Sequence, residues 1–274
     1  MTNMATIGPK RIMLPVHDDH GLESRLTAAT ALARSFNGAL VCVYAHTAPS
    51  AGQAISASGM ARLAEDEQRE ARQIRQIIEA RMADYDVEWE WHEHRGNVVD
   101  ALVEEAPLAD IVVISPMRES SGGAMVEPIA ETLLLRCPTP ILIVPTDIET
   151  FDCSGTAMIA WNGSAQSALA MRAALPVLRA AADVHVVTID KDIRRFPAAR
   201  AVEYLADHGV AKIDHIDAEK AEDVSATLAG QARDLAADYI VMGGYSRSRL
   251  NELIFGGVTR HMLRRPPVPL FIVH

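Results

Sequence analysis

The sequence predicts an α/β protein of two tandem domains, each a five-stranded parallel sheet with helices on both faces. Three observations carry this expectation. The chain repeats itself: Ala109-Asp110-Ile111-Val112-Val113-Ile114-Ser115 returns 128 residues later as Ala237-Asp238-Tyr239-Ile240-Val241-Met242-Gly243, and Arg136-Cys137-Pro138-Thr139-Pro140-Ile141-Leu142-Ile143-Val144 returns 129 residues later as Arg265-Pro266-Pro267-Val268-Pro269-Leu270-Phe271-Ile272-Val273. Self-similarity at that spacing means two units of ordinary domain size. Within each unit, short β-branched runs alternate with longer segments of helical period, the pattern of crossover units that build a parallel sheet. The 274 residues leave room for a real core in both.

Taken in order, the first half opens with an apolar strand over 11–16, followed by a helix over 21–36 and a second strand over 39–45. A long helix over 55–83 comes next, carrying Glu, Arg and Gln on most positions. Leu63, Ile74, Ile77 and Ile78 are spaced there for one apolar stripe, which reads as an amphipathic surface helix with a solvated charged face. Strands over 87–93, 110–115 and 141–144 alternate with helices over 97–106 and 126–136. Thr146 to Gly155 reads as the linker, dividing the chain into domains 1–148 and 149–274. The second half repeats the plan, with strands over 156–161, 183–189, 211–216, 239–243 and 270–273 and helices over 164–182, 197–208, 221–236 and 257–264.

Composition narrows the function. Hydrophobic residues make up 49% and charged residues 23%, the balance of an ordinary globular protein. The longest apolar stretches, such as Ile111 to Ile114, are far short of the roughly 20 residues of a membrane-spanning helix. Residues 1–10 carry no basic region followed by an apolar block, so a cytoplasmic protein without membrane partners is expected. Cys42, Cys137 and Cys153 are odd in number and widely spaced, which argues against a disulfide framework or a cysteine-based zinc site. A net charge of −10 repels nucleic acid, although a few local donors can still hold the phosphate of a small molecule.

Ligands of such sheets bind beyond the carboxyl ends of the strands. In the second half the strand over 239–243 runs directly into Gly243-Gly244-Tyr245-Ser246-Arg247-Ser248-Arg249-Leu250-Asn251-Glu252-Leu253-Ile254-Phe255-Gly256-Gly257-Val258-Thr259-Arg260. Two glycine pairs bracket a basic loop, and the second pair opens a helix. Free backbone N–H groups and the positive end of the helix dipole would face a phosphate there, with glycine permitting close approach. Thr259 adds a hydroxyl, and Arg247, Arg249 and Arg260 add positive charge. A plain glycine-rich turn before a helix accounts for the same spacing.

These residues resemble the universal stress protein family. The resemblance lies in Val241 through Met262, in Ala160-Trp161-Asn162-Gly163-Ser164 and in the Pro-x-Pro before the last strand, and two tandem copies cover nearly the whole chain. It implies two Rossmann-like domains related by a pseudo-twofold, with their last strands paired, and a further homodimer as one possibility. Nucleotide-binding members show Gly, two residues, Gly, nine residues, then Gly followed by Ser or Thr. On that pattern Gly243 and Gly256 match, with Val258 and Thr259 following, while Ser246 replaces the second glycine and Gly257 the Ser or Thr. Asn162 stands for a strand-one aspartate that contacts the nucleotide in family members; an amide can still hydrogen-bond but lacks the charge. The implied ligand is ATP or a related adenine nucleotide, held by Asn162, Gly243, Ser246, Arg249, Gly256, Gly257, Val258 and Thr259, with Mg²⁺ as its only expected metal companion. In the first half the counterpart loop reads Ser115-Pro116-Met117 through Glu127-Pro128, where a carboxylate and a proline fall at the positions of Gly256 and Gly257. A nucleotide-free first half is expected.

The first half offers a rival cluster at the same edge: His17, His46, His92 and His94, near Asp18 and Asp19. Imidazoles with a carboxylate suit zinc, provided that they converge, and scattered loop histidines are the alternative. No Gly-x-Ser-x-Gly elbow, Gly-Lys-Ser/Thr loop or His-Glu-x-x-His motif is present. Asp190 and Glu252 are the nearest candidates for a general base, so ATP hydrolysis is expected to be slow or absent. Three functions remain open: a cytoplasmic stress-response module that binds adenine nucleotide in its second half, a nucleotide-independent interaction scaffold, and a weak nucleotide-consuming enzyme.

Overall fold

The computed structural model describes residues 8–17, 19–46, 57–116, 129–189, 196–244 and 257–274. The first half contains β1 (Arg11–Pro15), α1 (Leu22–Phe36), β2 (Ala39–His46), α2 (Ala57–Tyr85), β3 (Trp89–Arg95), α3 (Val98–Glu105), β4 (Ile111–Ile114), α4 (Ile129–Arg136) and β5 (Ile141–Ile143). The second contains β6 (Thr156–Ala160), α5 (Ala165–Ala173), α6 (Leu175–Leu178), β7 (Asp183–Thr188), α7 (Ala198–Asp207), β8 (Ile213–Asp217), α8 (Val224–Asp234), β9 (Tyr239–Gly243), α9 (Gly257–Arg264) and β10 (Leu270–Val273). The fold is the expected α/β arrangement.

Ten strands form one sheet in the order β3-β2-β1-β4-β5-β10-β9-β6-β7-β8. Pairing is parallel within each half and antiparallel only where β5 meets β10. The inner strands β4, β5 and β10 are apolar along their whole length, and β1 is so after Arg11, because helices cover both faces. One core layer packs α1, α2, α5 and α7 on the first face, and the other packs α3, α4, α8 and α9 on the second. Each layer runs through both halves. The outermost strands β3 and β8 carry alternating exposed Glu, His, Arg and Asp, which blunt the sheet edges against further pairing.

The repeated Ala-Asp pair has a structural reason. Asp110 accepts hydrogen bonds from the backbone N–H groups of Lys10 and Arg11 at 2.8 and 3.0 Å, tying the start of β1 to the start of β4. Asp238 accepts one from Thr156 N–H at 2.7 Å and does the same for β6 and β9. Gly155 packs against it: an added Cβ would lie 2.0 Å from the Asp238 carboxylate, so a larger residue would displace that carboxylate from its hydrogen bond.

Helix boundaries follow local chemistry. Asn97 and Asp223 cap α3 and α8 by accepting from Val99 N–H and Ala226 N–H. The single helix expected over 164–182 is divided at Ala174, because Pro176 has no N–H and sits in the first turn of α6. In α2, Ile74 and Ile78 are buried while Ile77 is 39% exposed, so the apolar stripe is narrower than its spacing implied; the side chain of Leu63 lies outside the described residues.

Two substitutions test this frame. Asp238→Ala is expected to lower the unfolding free energy by about 1.5–3 kcal/mol, the usual range for a hydrogen bond to a charged group, and an unchanged urea midpoint would refute the tie. Ile272→Pro places a residue without an N–H in the middle of the sheet, where Ile272 pairs with Ile141 and Met242. A loss of about 3 kcal/mol or more, with a change in hydrodynamic size, is expected.

Candidate functional site

At the end of β6 the chain makes a self-tied turn into α5. Trp161 is buried and its indole N–H donates to Phe196 C=O at 2.8 Å. Asn162 Oδ1 accepts from Ser164 N–H at 3.1 Å, Gly163 takes a positive φ of 67°, and Ser164 caps α5 by accepting from Ser167 N–H at 3.1 Å. Because Asn162 Oδ1 serves the turn, its amide N–H₂ is the end left for other contacts. Asn162 itself is exposed.

β9 ends against the same turn. An added Cβ at Gly243 would lie 2.4 Å from the Gln166 carbonyl carbon and 2.6 Å from Ser167 N, both backbone atoms that cannot step aside. Glycine at 243 is therefore demanded by the close approach of α5, whatever else it permits. Gly257 opens α9 in free space, with no atom within 4 Å of an added Cβ. The first N–H groups of α9 have no partner within the helix, as at any helix N-terminus.

These ends enclose a cavity of about 730 Å³. Asn162, Gly243, Val258 and Thr259, all singled out in the sequence, line it together. Gly257 is adjacent in the first turn of α9 but is not among the lining residues. Ser246, Arg249 and Gly256, as well as Asp190 and Glu252, lie outside the described residues. The cavity also has an apolar wall that the sequence reading missed: Val187 and Ile189 from β7 and its end, Val224 and Leu228 one turn apart on α8, and Met242. Their i,i+2 and i,i+4 spacing was readable, but their convergence was not. Exposed Lys220, in the connection from β8 to α8, adds the one cation among the described lining residues.

The first half builds the equivalent corner differently. Arg25, 2% exposed, donates from Nε to Pro15 C=O at 3.0 Å and from both terminal nitrogens to the Asp19 carboxylate at 2.9 Å. Ser115 occupies the place of Gly243, and the compensating glycine is now on the helix side: an added Cβ at Gly21 would lie 2.6 Å from Ser115 Oγ and 2.8 Å from an Arg25 nitrogen. Ala130 stands where Thr259 stands, so the hydroxyl is gone. Glu127 and Pro128 lie outside the described residues.

The histidines do not converge. His17 stacks on Tyr44 with ring centroids 5.2 Å apart, and its Nε2 is 3.1 Å from Ala45 C=O; burial holds its pKa below the ordinary imidazole value. His46 sits edge-on to the same Tyr44 and 3.4 Å from Glu93. His92 and His94 point to the opposite face, where Glu105 of α3 approaches them at 3.1 and 2.9 Å. Among the described residues, no group of three His, Cys, Asp or Glu side chains is placed to hold a metal ion.

The two glycines separate by substitution. Gly243→Ala is expected to destabilise by about 1–3 kcal/mol through forced displacement of α5, whereas Gly257→Ala should stay within about 0.5 kcal/mol. Equal urea midpoints for the two variants would refute the packing role of Gly243.

Comparison with known proteins bears on the fold and the family. Among solved structures, a universal stress protein from Archaeoglobus fulgidus DSM 4304 is 13% identical, with 96% of this chain and 97% of that chain covered and a TM-score of 0.77. A functionally unknown protein from Pseudomonas aeruginosa PAO1 is also 13% identical, over 97% and 92% of the two chains, with a TM-score of 0.59. A universal stress protein family protein from Arabidopsis thaliana with AMP bound is 12% identical over 50% of this chain and 92% of that chain, with a TM-score of 0.37. No curated protein matches the sequence. The model of the universal stress protein family matches residues 8–145 and again residues 155–274. With both halves so matched, the chain belongs to the universal stress protein family as a tandem pair of its domains.

Proposed function

We propose that this protein is a cytoplasmic stress-response module that binds ATP or a related adenine nucleotide in the cavity of its second half. The observation that carries the reading is the pairing of two chemistries in one cavity. An apolar wall of Val187, Ile189, Val224, Leu228 and Met242 suits a flat base, and it faces the N-terminal turn of α9 with Val258 and Thr259, which suits phosphate. Asn162 offers its amide N–H₂, Thr259 its hydroxyl and Lys220 a cation at the rim. The preference for adenine follows from family membership. In this reading Ser246, Arg249, Gly256 and Gly257 complete the phosphate loop, and any Mg²⁺ arrives on the phosphates.

A division into 1–148 and 149–274, with a nucleotide-free first half, is part of the same reading. Its support is the Arg25–Asp19 pair and Ala130, which leave the first half without the donors of the second. Binding rather than turnover is the proposed role: among the described residues that line the cavity there is no carboxylate and no imidazole to act as a general base.

ATP at about 100 times its Kd would stabilise the protein by about 2.7 kcal/mol, which corresponds to a Tm increase of about 5–10 °C at this chain length. Thr259→Ala should weaken binding by about tenfold or more, the loss of one hydrogen bond to a charged group. Mass spectrometry of ligand released from freshly purified protein should identify an adenine nucleotide. Empty protein whose Tm ignores ATP, ADP and AMP would refute the reading and favour the nucleotide-independent scaffold.

A further inference from the structure

The strand register locates the axis that relates the two halves. In the α4–β5 and α9–β10 segments, equivalent residues are 129 apart in sequence. The antiparallel seam pairs Leu270 with Ile143, Phe271 with Leu142 and Ile272 with Ile141. Leu142 and Phe271 are each other's equivalents, so the pseudo-twofold passes between them. The same axis relates α4 to α9.

Glu131 and Arg260 are also equivalents, and they meet across this axis with Arg260 Nε 3.7 Å from Glu131 Oε1. Arg264, one turn further along α9, places its Nε 2.9 Å from the same oxygen. Its own counterpart in α4 is the apolar Leu135. The Glu131 side chain is only 6% exposed, whereas the two arginines are about half exposed at 50% and 52%. A carboxylate nearly shut off from water is thus matched by two cations from the other half.

A twofold contact between identical units sets a residue against itself. Two first halves joined through β5 would face Glu131 with another Glu131, both withdrawn from water. Two second halves joined through β10 would crowd the Arg260 and Arg264 guanidinium groups together. Only the mixed pairing puts opposite charges on the two sides. The strands themselves make no such distinction, because Ile141-Leu142-Ile143 and Leu270-Phe271-Ile272 are both short, apolar and β-prone. A charge inverted between equivalent positions is the kind of element that rejects a wrong partner while accepting the right one.

We propose that Glu131, Arg260 and Arg264 are the recognition element by which the first half selects a second half as its partner and rejects a like half. The occupant of this surface is therefore the complementary second half of this chain.

Three full-length variants test the proposal. Glu131→Arg makes both sides of the contact basic, Arg260→Glu with Arg264→Glu makes both acidic, and the triple variant restores opposite signs in reverse. The first two are expected to lose about 5 °C or more in Tm, and the triple variant to regain most of that loss. When the all-basic and all-acidic variants are refolded together, one of them isotope-labelled, each can find its complement only in the other. Native mass spectrometry should then show mixed two-chain assemblies, built from chains of 29.7 kDa, exceeding like assemblies at least tenfold. Labelled and unlabelled wild type treated identically should show no such bias. Statistical mixing of the variants would overturn the proposal. So would a triple variant as unstable as the other two, since Glu131 would then matter for its local packing and not for its charge.

Discussion

The antiparallel pairing of β5 with β10 is the constraint on which the rest of the molecule depends. A five-stranded parallel sheet buried on both faces ends in a bare apolar edge, and here each half supplies the cover for the other's edge. Joined in this way, the halves form one ten-stranded sheet with two core layers that run through both of them. The remaining edges, β3 and β8, are the strands with exposed charged residues, so the apolar edges are the ones hidden. The connection between the halves is itself packed: Cys153 is buried, and Phe151 lies edge-on to Tyr239 of β9.

Comparison of the halves separates what the scaffold requires from what the cavity requires. Asp110 and Asp238 do the same work at the start of paired strands and are both retained. The crowded contact between strand end and helix start is solved twice, with glycine on the strand at Gly243 and on the helix side at Gly21. Steric necessity therefore fixes that one partner is small but leaves open which. In the second half the small residue faces the cavity, while in the first a serine and the buried Arg25, paired with the partly exposed Asp19, stand at the corresponding corner. The same backbone plan thus carries a strand-end glycine beside a cavity once, and a strand-end serine beside an arginine–aspartate pair once.

Most of the fold was legible because the strands are continuous apolar runs, and burial on both faces leaves little room for another register of secondary structure. β9 and β10 fall where the sequence placed them, β1 and β6 are a residue shorter at one end, and β4 is a residue shorter at each end. The break in the 164–182 helix was recoverable from Pro176, whose missing N–H outweighs the helical period around it. The site was less legible. Asn162, Gly243, Val258 and Thr259 could be read because they lie in short local motifs at strand and helix ends. The apolar wall and Lys220 come from β7, α8 and the loop before it, and only the folded chain determines that these meet. The histidines illustrate the reverse limit: strand alternation sends His92 and His94 to the face opposite His17 and His46, so nearness to one sheet edge did not mean convergence.

One helix connects the cavity to the seam. α9 has eight residues and is about 12 Å long at the usual rise per residue. Val258 and Thr259 in its first turn line the cavity, and Arg264 in its last turn is held by Glu131 of the first half. The orientation of the helix dipole suits both ends. Its positive end faces the cavity, and its negative end is met by His261 and Arg264 in the last turn. A rigid element this short cannot turn its N–H groups away from the cavity without dragging Arg264 from a carboxylate that has almost no access to water. The first half thereby helps to set the direction of the helix N-terminus in the second.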